Sequence, residues 1–199
     1  MRFDYWNNPD FYKAVYKNKK IQFFQERTEK GLKRFSVGIS IIDEVLKMVG
    51  KEFKTMRNEH SKYSKMDIKI EKVCEFNVSM IDRITKHWNM SKRHFMTWSG
   101  QGKRFIQNGY KKYPCFIYYL GNQPAGYNAF FTIDDTIVWG VSKTIEGENG
   151  LSSFMLIEGL KRARQKETYL NLTSYGSQRN YKQKFNPRFE KDFYKKEIK

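Results

Sequence analysis

Residues 113–143 read YPCFIYYLGNQPAGYNAFFTIDDTIVWGVSK. Three runs of apolar, aromatic and β-branched residues, Tyr113 to Leu120, Ala125 to Ile133 and Thr136 to Lys143, are separated by Gly121-Asn122-Gln123-Pro124 and by Asp134-Asp135. Runs of that kind favour strands and short polar breaks favour turns, so the stretch predicts a three-strand antiparallel meander. A loop from Thr144 to Gly150 then leads into Leu151, Phe154, Ile157, Leu160 and Ala163, whose spacing of three puts them on one face of a helix. Tyr169-Leu170-Asn171-Leu172-Thr173 predicts a further strand, and Ser174 to Gln178 a polar turn. Asn180 to Asn186 follows as a second helical segment.

Upstream, Ile68, Ile70 and Val73 alternate with charged residues and predict a strand from Asp67. Asn77 is a candidate cap for a helix with the face Val78, Ile81, Ile84 and Trp88, and a second helical stretch covers Gln101 to Tyr110. Before them, Ile42, Val45, Leu46, Val49, Phe53 and Met56 form one apolar stripe, which predicts an amphipathic helix over 40–57 with Ser40 as its N-cap and Asp43 as capping-box partner. Residues 58–65 are polar and read as a linker or equally as the loop between two halves of one domain, and the division taken is a basic, aromatic, partly helical extension over 1–66 and a domain over 67–199.

The 199 residues carry 38 basic and 21 acidic side chains, a net charge of +17. That charge predicts an anionic partner, and nucleic acid fits it. It is distributed as +7 over 1–66, +3 over 67–150 and +7 over 151–199, so the basic surface lies away from the meander. In 1–35, Phe11, Tyr12, Tyr16, Phe23 and Phe24 alternate with Lys13, Lys17, Lys19, Lys20, Lys30, Lys33 and Arg34, a mixture suited to phosphates and unpaired bases. Cys74 and Cys115 form no CxxC pair and no disulfide framework, the opening Met1-Arg2-Phe3-Asp4 lacks the apolar core of a secretory signal, and no stretch approaches the about 18 apolar residues of a membrane span. These features predict a cytoplasmic protein. His60, His87 and His94 show no metal-ligand spacing with the cysteines, and no metal is expected.

The order of elements from Asp67 to the C-terminus resembles the core of the GNAT (GCN5-related N-acyltransferase) superfamily. Tyr181-Lys182-Gln183-Lys184-Phe185-Asn186 is similar to the aromatic-Lys-x-x-Phe-Gly element of its FemABX-type branch, with Asn186 in place of Gly. The resemblance implies an α+β fold, a mostly antiparallel twisted sheet flanked by helices, with a helical N-terminal extension. It implies an N-acyltransferase that moves an acyl or aminoacyl group to an amine, with acyl-CoA (acetyl-CoA) or aminoacyl-tRNA as donor. With the charge, it points to nucleic acid as donor or acceptor, including DNA modification as in the phage Mom-type branch. By the same match Val141, Ser142 and Lys143, with Gly147, Asn149, Gly150, Leu151 and Ser152, hold the cofactor, because unpaired N–H groups at a helix start bind anions. Glu146 and Glu148 stand in that loop, where they would repel a pyrophosphate. Lys182 is the candidate for a phosphate or a developing oxyanion, Tyr181 and Tyr175 for protonating a leaving group, and Asn171 for orienting substrate. Glu75, Asp82 and His94 are the candidate general bases. Two alternatives stay open: a non-catalytic nucleic-acid-binding protein on this scaffold, and a small-molecule or protein N-acetyltransferase.

Overall fold

The structure of the chain is a computed structural model that describes residues 21–24, 30, 33–91, 106–145, 148–174 and 182–197. Eight strands form one sheet: β1 (Ile21–Phe24), β2 (Lys33–Ile41), β3 (Ile68–Lys72), β4 (Cys115–Leu120), β5 (Gln123–Ile133), β6 (Thr136–Thr144), β7 (Tyr169–Ser174) and β8 (Phe189–Glu197). Their order is β1-β8-β2-β7-β6-β5-β4-β3. β6 and β7 are parallel and every other pair is antiparallel. The meander is present as β4, β5 and β6, its two hairpins closing at Leu120↔Gln123 and Ile133↔Thr136. Gly121 (φ 55°) and Asp134 (φ 52°) supply the left-handed residues that such tight hairpin loops need. The first turn is shorter than the sequence suggests, and Pro124 lies inside β5 next to a register shift at Tyr118/Tyr119, where a missing N–H is tolerated.

Among the described residues the sheet is covered by α1 (Ile42–Lys47), α2 (Lys54–Ser64), α3 (Met80–Ser91) and α4 (Leu151–Ala163), with a further helical turn at 106–109. Alternation in β4 explains why its sequence is apolar throughout. Phe116 and Tyr118 join the core under α4, while Cys115 and Ile117 join the one containing Ile81 and Ile84 of α3, so both faces are covered. The larger core also holds Ile42, Val45, Phe53 and Met56 with Leu151, Phe154, Ile157 and Leu160. The expected spacing along α4 is therefore seen, and Ser153, Met155, Leu156 and Gly159 are buried as well.

Four expectations are corrected. Residues 40–57 are not one helix: α1 ends at Met48 (φ 51°), whose N–H meets Glu44 O at 2.9 Å, and Gly50 at φ 104° turns the chain before a 3-10 turn, Lys51–Phe53. The apolar stripe is real, but it serves two helices packed on one core, and Val49 is 73% exposed. Ser40 caps nothing; it lies in β2, and its buried Oγ donates to Phe185 O at 2.7 Å, joining the N-terminal strand to the segment after β7. Residues 58–65 are not a linker, because Lys54–Ser64 is helical and buries Met56 and Tyr63. The extension holds α1 and α2, as a partly helical segment does, but it is not confined to helices: β2 lies between β8 and β7, so one sheet runs across residue 66. Nor does α3 start at Asn77, whose Oδ1 accepts from Cys74 N at 2.8 Å while the helix begins at Met80. Residues 1–20, with most of their aromatic and basic pattern, lie outside the described residues.

Ser40→Ala is expected to cost about 1–2 kcal/mol in urea denaturation, since the buried Phe185 carbonyl loses its partner. A loss below about 0.5 kcal/mol would mean that this link does not hold the segment down.

Candidate active site

Among the described residues one pairing in the sheet is parallel, and its register, three pairs long, is the shortest. β6 and β7 are in register at Thr136↔Tyr169, Ile137↔Leu170 and Val138↔Asn171, yet β6 runs on to Thr144 and β7 to Ser174. Beyond Val138 and Asn171 the ladder stops, so backbone groups facing the opening need other partners. A register shift between Ala129 and Phe130 leaves Gly140 without a place in the β5–β6 ladder, which adds to the divergence.

Lys182 reaches into this opening. Its Nζ donates to Leu172 O, on the part of β7 that β6 has left, and it lies 5.8 Å from the Trp139 ring centroid. Trp139 in turn meets Phe185 edge-on at 5.8 Å. Lys182 is 5% exposed, and burial pushes its amine down to about 7. A lysine removed from water among rings and carbonyls loses much of its preference for the charged form, a property that suits it to chemistry near neutral pH. Asn171, the candidate for orienting substrate, is fully buried at the last paired rung. Ser142 Oγ is buried with no hydrogen-bond partner among the described residues.

The matched run Val141-Ser142-Lys143 divides between the two faces. Ser142 lies opposite Asn128, whose Nδ2 donates to Met155 O of α4 at 2.7 Å. Lys143 lies opposite Tyr127, whose hydroxyl is 2.9 Å from Thr85 Oγ1 of α3, and Val141 packs in that second core. Burial lowers Lys143 to about 8. Leu151 is buried in the larger core and offers only its backbone to a ligand.

The start of α4 is occupied by the chain's own groups. Gly150 is left-handed (φ 89°), and no side chain caps the helix there. Glu59 of α2 packs flat on that glycine, its Cγ 2.7 Å from where a Cβ would stand. Its Oε2 accepts from Ser153 Oγ at 2.5 Å and from Lys184 Nζ at 2.6 Å. The Tyr63 hydroxyl donates to Glu148 Oε2 at 2.8 Å and lies 3.0 Å from Asn149 O, which fixes the loop before the helix. Burial and the neighbouring Glu148 carboxylate both raise the Tyr63 phenol. As they stand, these residues do not fit a coenzyme A diphosphate, because a carboxylate already sits at the positive end of α4.

Sequence reasoning missed Glu59, Ser153 and Trp139, and it quoted Lys184 without a role. Only Lys184, inside the Lys-x-x-Phe segment, had a local signal. Tyr175, Tyr181, Glu146, Gly147 and His94 lie outside the described residues. Of the candidate bases, Asp82 accepts from Gln107 Nε2 at 3.3 Å and Glu75 is exposed. Among the described residues no cluster of His, Cys, Asp and Glu could hold a metal ion, and no helix is long and apolar enough to cross a membrane.

No family model matches the sequence, and no curated protein matches it. Solved structures do match the fold. A conserved protein of unknown function from Bacteroides thetaiotaomicron VPI-5482 superposes with a TM-score of 0.72 at 13% identity, over 96% of this chain and 67% of that one. FemX gives 0.64 at 10% identity, over 93% and 67%, and L-PGS from Bacillus licheniformis 0.61 at 12%, over 93% and 64%. The chain thus spans about two thirds of each relative's length. Among the described residues, a mixed sheet that opens at its parallel pair, with α4 packed beside the opening, is the fold that the chain shares with FemX and L-PGS, and it agrees with the GNAT/FemABX-like order of elements in the sequence.

Proposed function

We propose that the chain is a GNAT-fold transferase that moves an aminoacyl group from a nucleic-acid carrier, aminoacyl-tRNA, onto an amine. The observation that carries this reading is the buried Lys182 amine in the β6–β7 opening, hydrogen-bonded to a carbonyl the ladder has abandoned. In the reaction the acceptor nitrogen attacks the ester carbonyl carbon of the donor, and the carbonyl oxygen becomes an oxyanion. Lys182, as the ammonium, holds that oxyanion; its collapse breaks the ester C–O bond, an amide forms, and the amine's proton ends on the leaving hydroxyl. Asn171 and Ser142 border the same opening and orient the reacting groups. The net charge of +17 supports a polyanionic carrier, and Glu59 at the start of α4 counts against acyl-CoA.

The test incubates the protein with tRNA charged with labelled amino acids, or with acetyl-CoA, in the presence of small amines, peptides and duplex DNA. Discharge of label to an amine from aminoacyl-tRNA, with acetyl-CoA inert, is the expected result. Acetyl transfer instead would move the reading to the N-acetyltransferase alternative, and binding without discharge of any donor would favour a non-catalytic protein. The tRNA affinity is expected to fall with salt on a log–log slope of about −2 or steeper, equivalent to about three phosphates at about 0.7 each. A flat slope would remove the phosphate contacts from the reading.

A further inference from the structure

An anion already stands at the start of α4. The first turn of a helix attracts negative charge through its dipole, and in α4 the Leu151 and Ser153 N–H groups already donate to Glu148 O at 3.2 Å and Gly150 O at 3.0 Å, so it is side chains that hold the anion. In this chain that place is taken by Glu59, which arrives from another helix 94 residues away in sequence from Ser153. The carboxylate is held from three sides: by the Ser153 hydroxyl, by the Lys184 amine, and by the side chain's own packing on Gly150. The Lys184 side chain is 12% exposed and that of Glu59 25%, so water screens the pair weakly. Burial lowers the Lys184 amine while the Glu59 carboxylate raises it, so this cation depends on this anion. The neighbouring Glu148 carboxylate is likewise tied back, to Tyr63. Gly150 has no side chain to keep a ligand out; Glu59 does that instead.

We infer that Glu59 is a resident anion that excludes a diphosphate from the start of α4, and that removing its carboxylate opens an anion site built from the Lys184 amine and the Ser153 hydroxyl at the positive end of that helix. Glu59 is thereby a specificity-determining residue: it separates donors whose carrier brings a diphosphate to this spot from those whose carrier does not. Its bearing on the choice of donor rests on the transferase reading, but the binding it governs is read without any reaction.

Titration calorimetry with inorganic pyrophosphate and with coenzyme A, on the wild type and on Glu59→Ser, decides the matter. Wild type is expected to give no saturable binding at millimolar ligand. Glu59→Ser, which removes the charge and vacates the space, is expected to bind pyrophosphate at least about tenfold more tightly, and adding Lys184→Ala should abolish the gain. Wild type that binds either ligand as tightly as Glu59→Ser overturns the inference, as does a Glu59→Ser variant that melts cooperatively and gains nothing. Should Glu59→Ser fail to fold, Glu59→Gln is read in its place; it keeps the bulk and loses the charge, and no gain in pyrophosphate binding from it overturns the inference equally. Failure of aminoacyl transfer with the Glu59→Ser gain intact would sink the proposed reaction and leave this inference standing.

Discussion

Lys182→Met is expected to lower the rate of aminoacyl transfer by about 10²–10³ and, in the same protein, to raise thermal stability. The two effects share one cause. An ordinary lysine titrates at 10.5 and this one at about 7, because burial strips the ammonium of water. The free-energy gap between those values is about 5 kcal/mol, an upper bound on what the fold gives up at low pH to keep the amine buried. Methionine matches the bulk and needs no proton, but it forfeits the hydrogen bond to Leu172 O, so a net gain of about 2 kcal/mol is expected, or about 5 °C in Tm. Between about 7 and 10.5 the unfolded chain binds a proton that the folded one does not. Wild-type stability therefore rises with pH across that window and levels off above it. The gap between variant and wild type should be full below about 7 and shrink as the pH approaches 10.5. Catalysis has the opposite sensitivity. If the ammonium holds the oxyanion, kcat/KM falls as the pH rises through about 7, and Lys182→Met loses that limb. Melting curves and pH–rate profiles on the same preparations check both halves. A Lys182→Met variant that is less stable and equally active would make the residue a structural lysine; an activity that instead rises through 7 would make it a general base.

What the sequence made legible follows from locality. β4, β5 and β6 are continuous apolar runs interrupted by turn residues, and α4 carries its core stripe at fixed spacing, so each could be read within one short window. The parallel partner β7 was legible for the same reason. β8 was not: Phe189-Glu190-Lys191-Asp192-Phe193 puts three charges in a row, with no apolar alternation to read, and its strand character comes from pairing on both sides with β1 and β2, chain 150 residues or more away. The break at Met48 was hidden because the apolar period continues across it, each half burying its residues in the same core. At the site, Lys182 and Asn171 could be named because they sit in or beside a local motif. Glu59 could not be, since a glutamate in a polar stretch acquires its role only when α2 is laid against the start of α4. Residues whose chemistry depends on a contact between distant elements carry no local signature, and at this site they include the one that decides which anions are admitted.

Gly159→Ala is expected to destabilise the protein by about 3 kcal/mol, although alanine is the better helix former. A Cβ at 159 would stand 2.6 Å from Phe130 Cε2, 2.7 Å from Asn128 Nδ2 and 2.8 Å from the Tyr118 hydroxyl. None of these is a loose end. Phe130 and Tyr118 are fully buried, Asn128 Nδ2 donates to Met155 O at 2.7 Å, and the Tyr118 hydroxyl meets the same carbonyl at 2.9 Å. Desolvation raises the Tyr118 phenol far above its usual range, so it stays a neutral donor. Accommodating one methyl means pushing α4 off the sheet or breaking that pair of hydrogen bonds. Overpacking costs about 1–3 kcal/mol and each buried polar group left unpaired about 1–3 more, against about 1 kcal/mol of helix propensity gained. The displacement would be felt at the candidate site, because Met155 is one turn from the start of α4 and Asn128 lies opposite Ser142. Urea denaturation of Gly159→Ala, Tyr118→Phe and the double variant separates the causes. If crowding against the hydroxyl dominates, the double variant recovers at least about 1 kcal/mol of the sum of the single losses. Additive losses would place the strain on Phe130 instead, and a Gly159→Ala change below about 1 kcal/mol would show that α4 can shift on the sheet without cost.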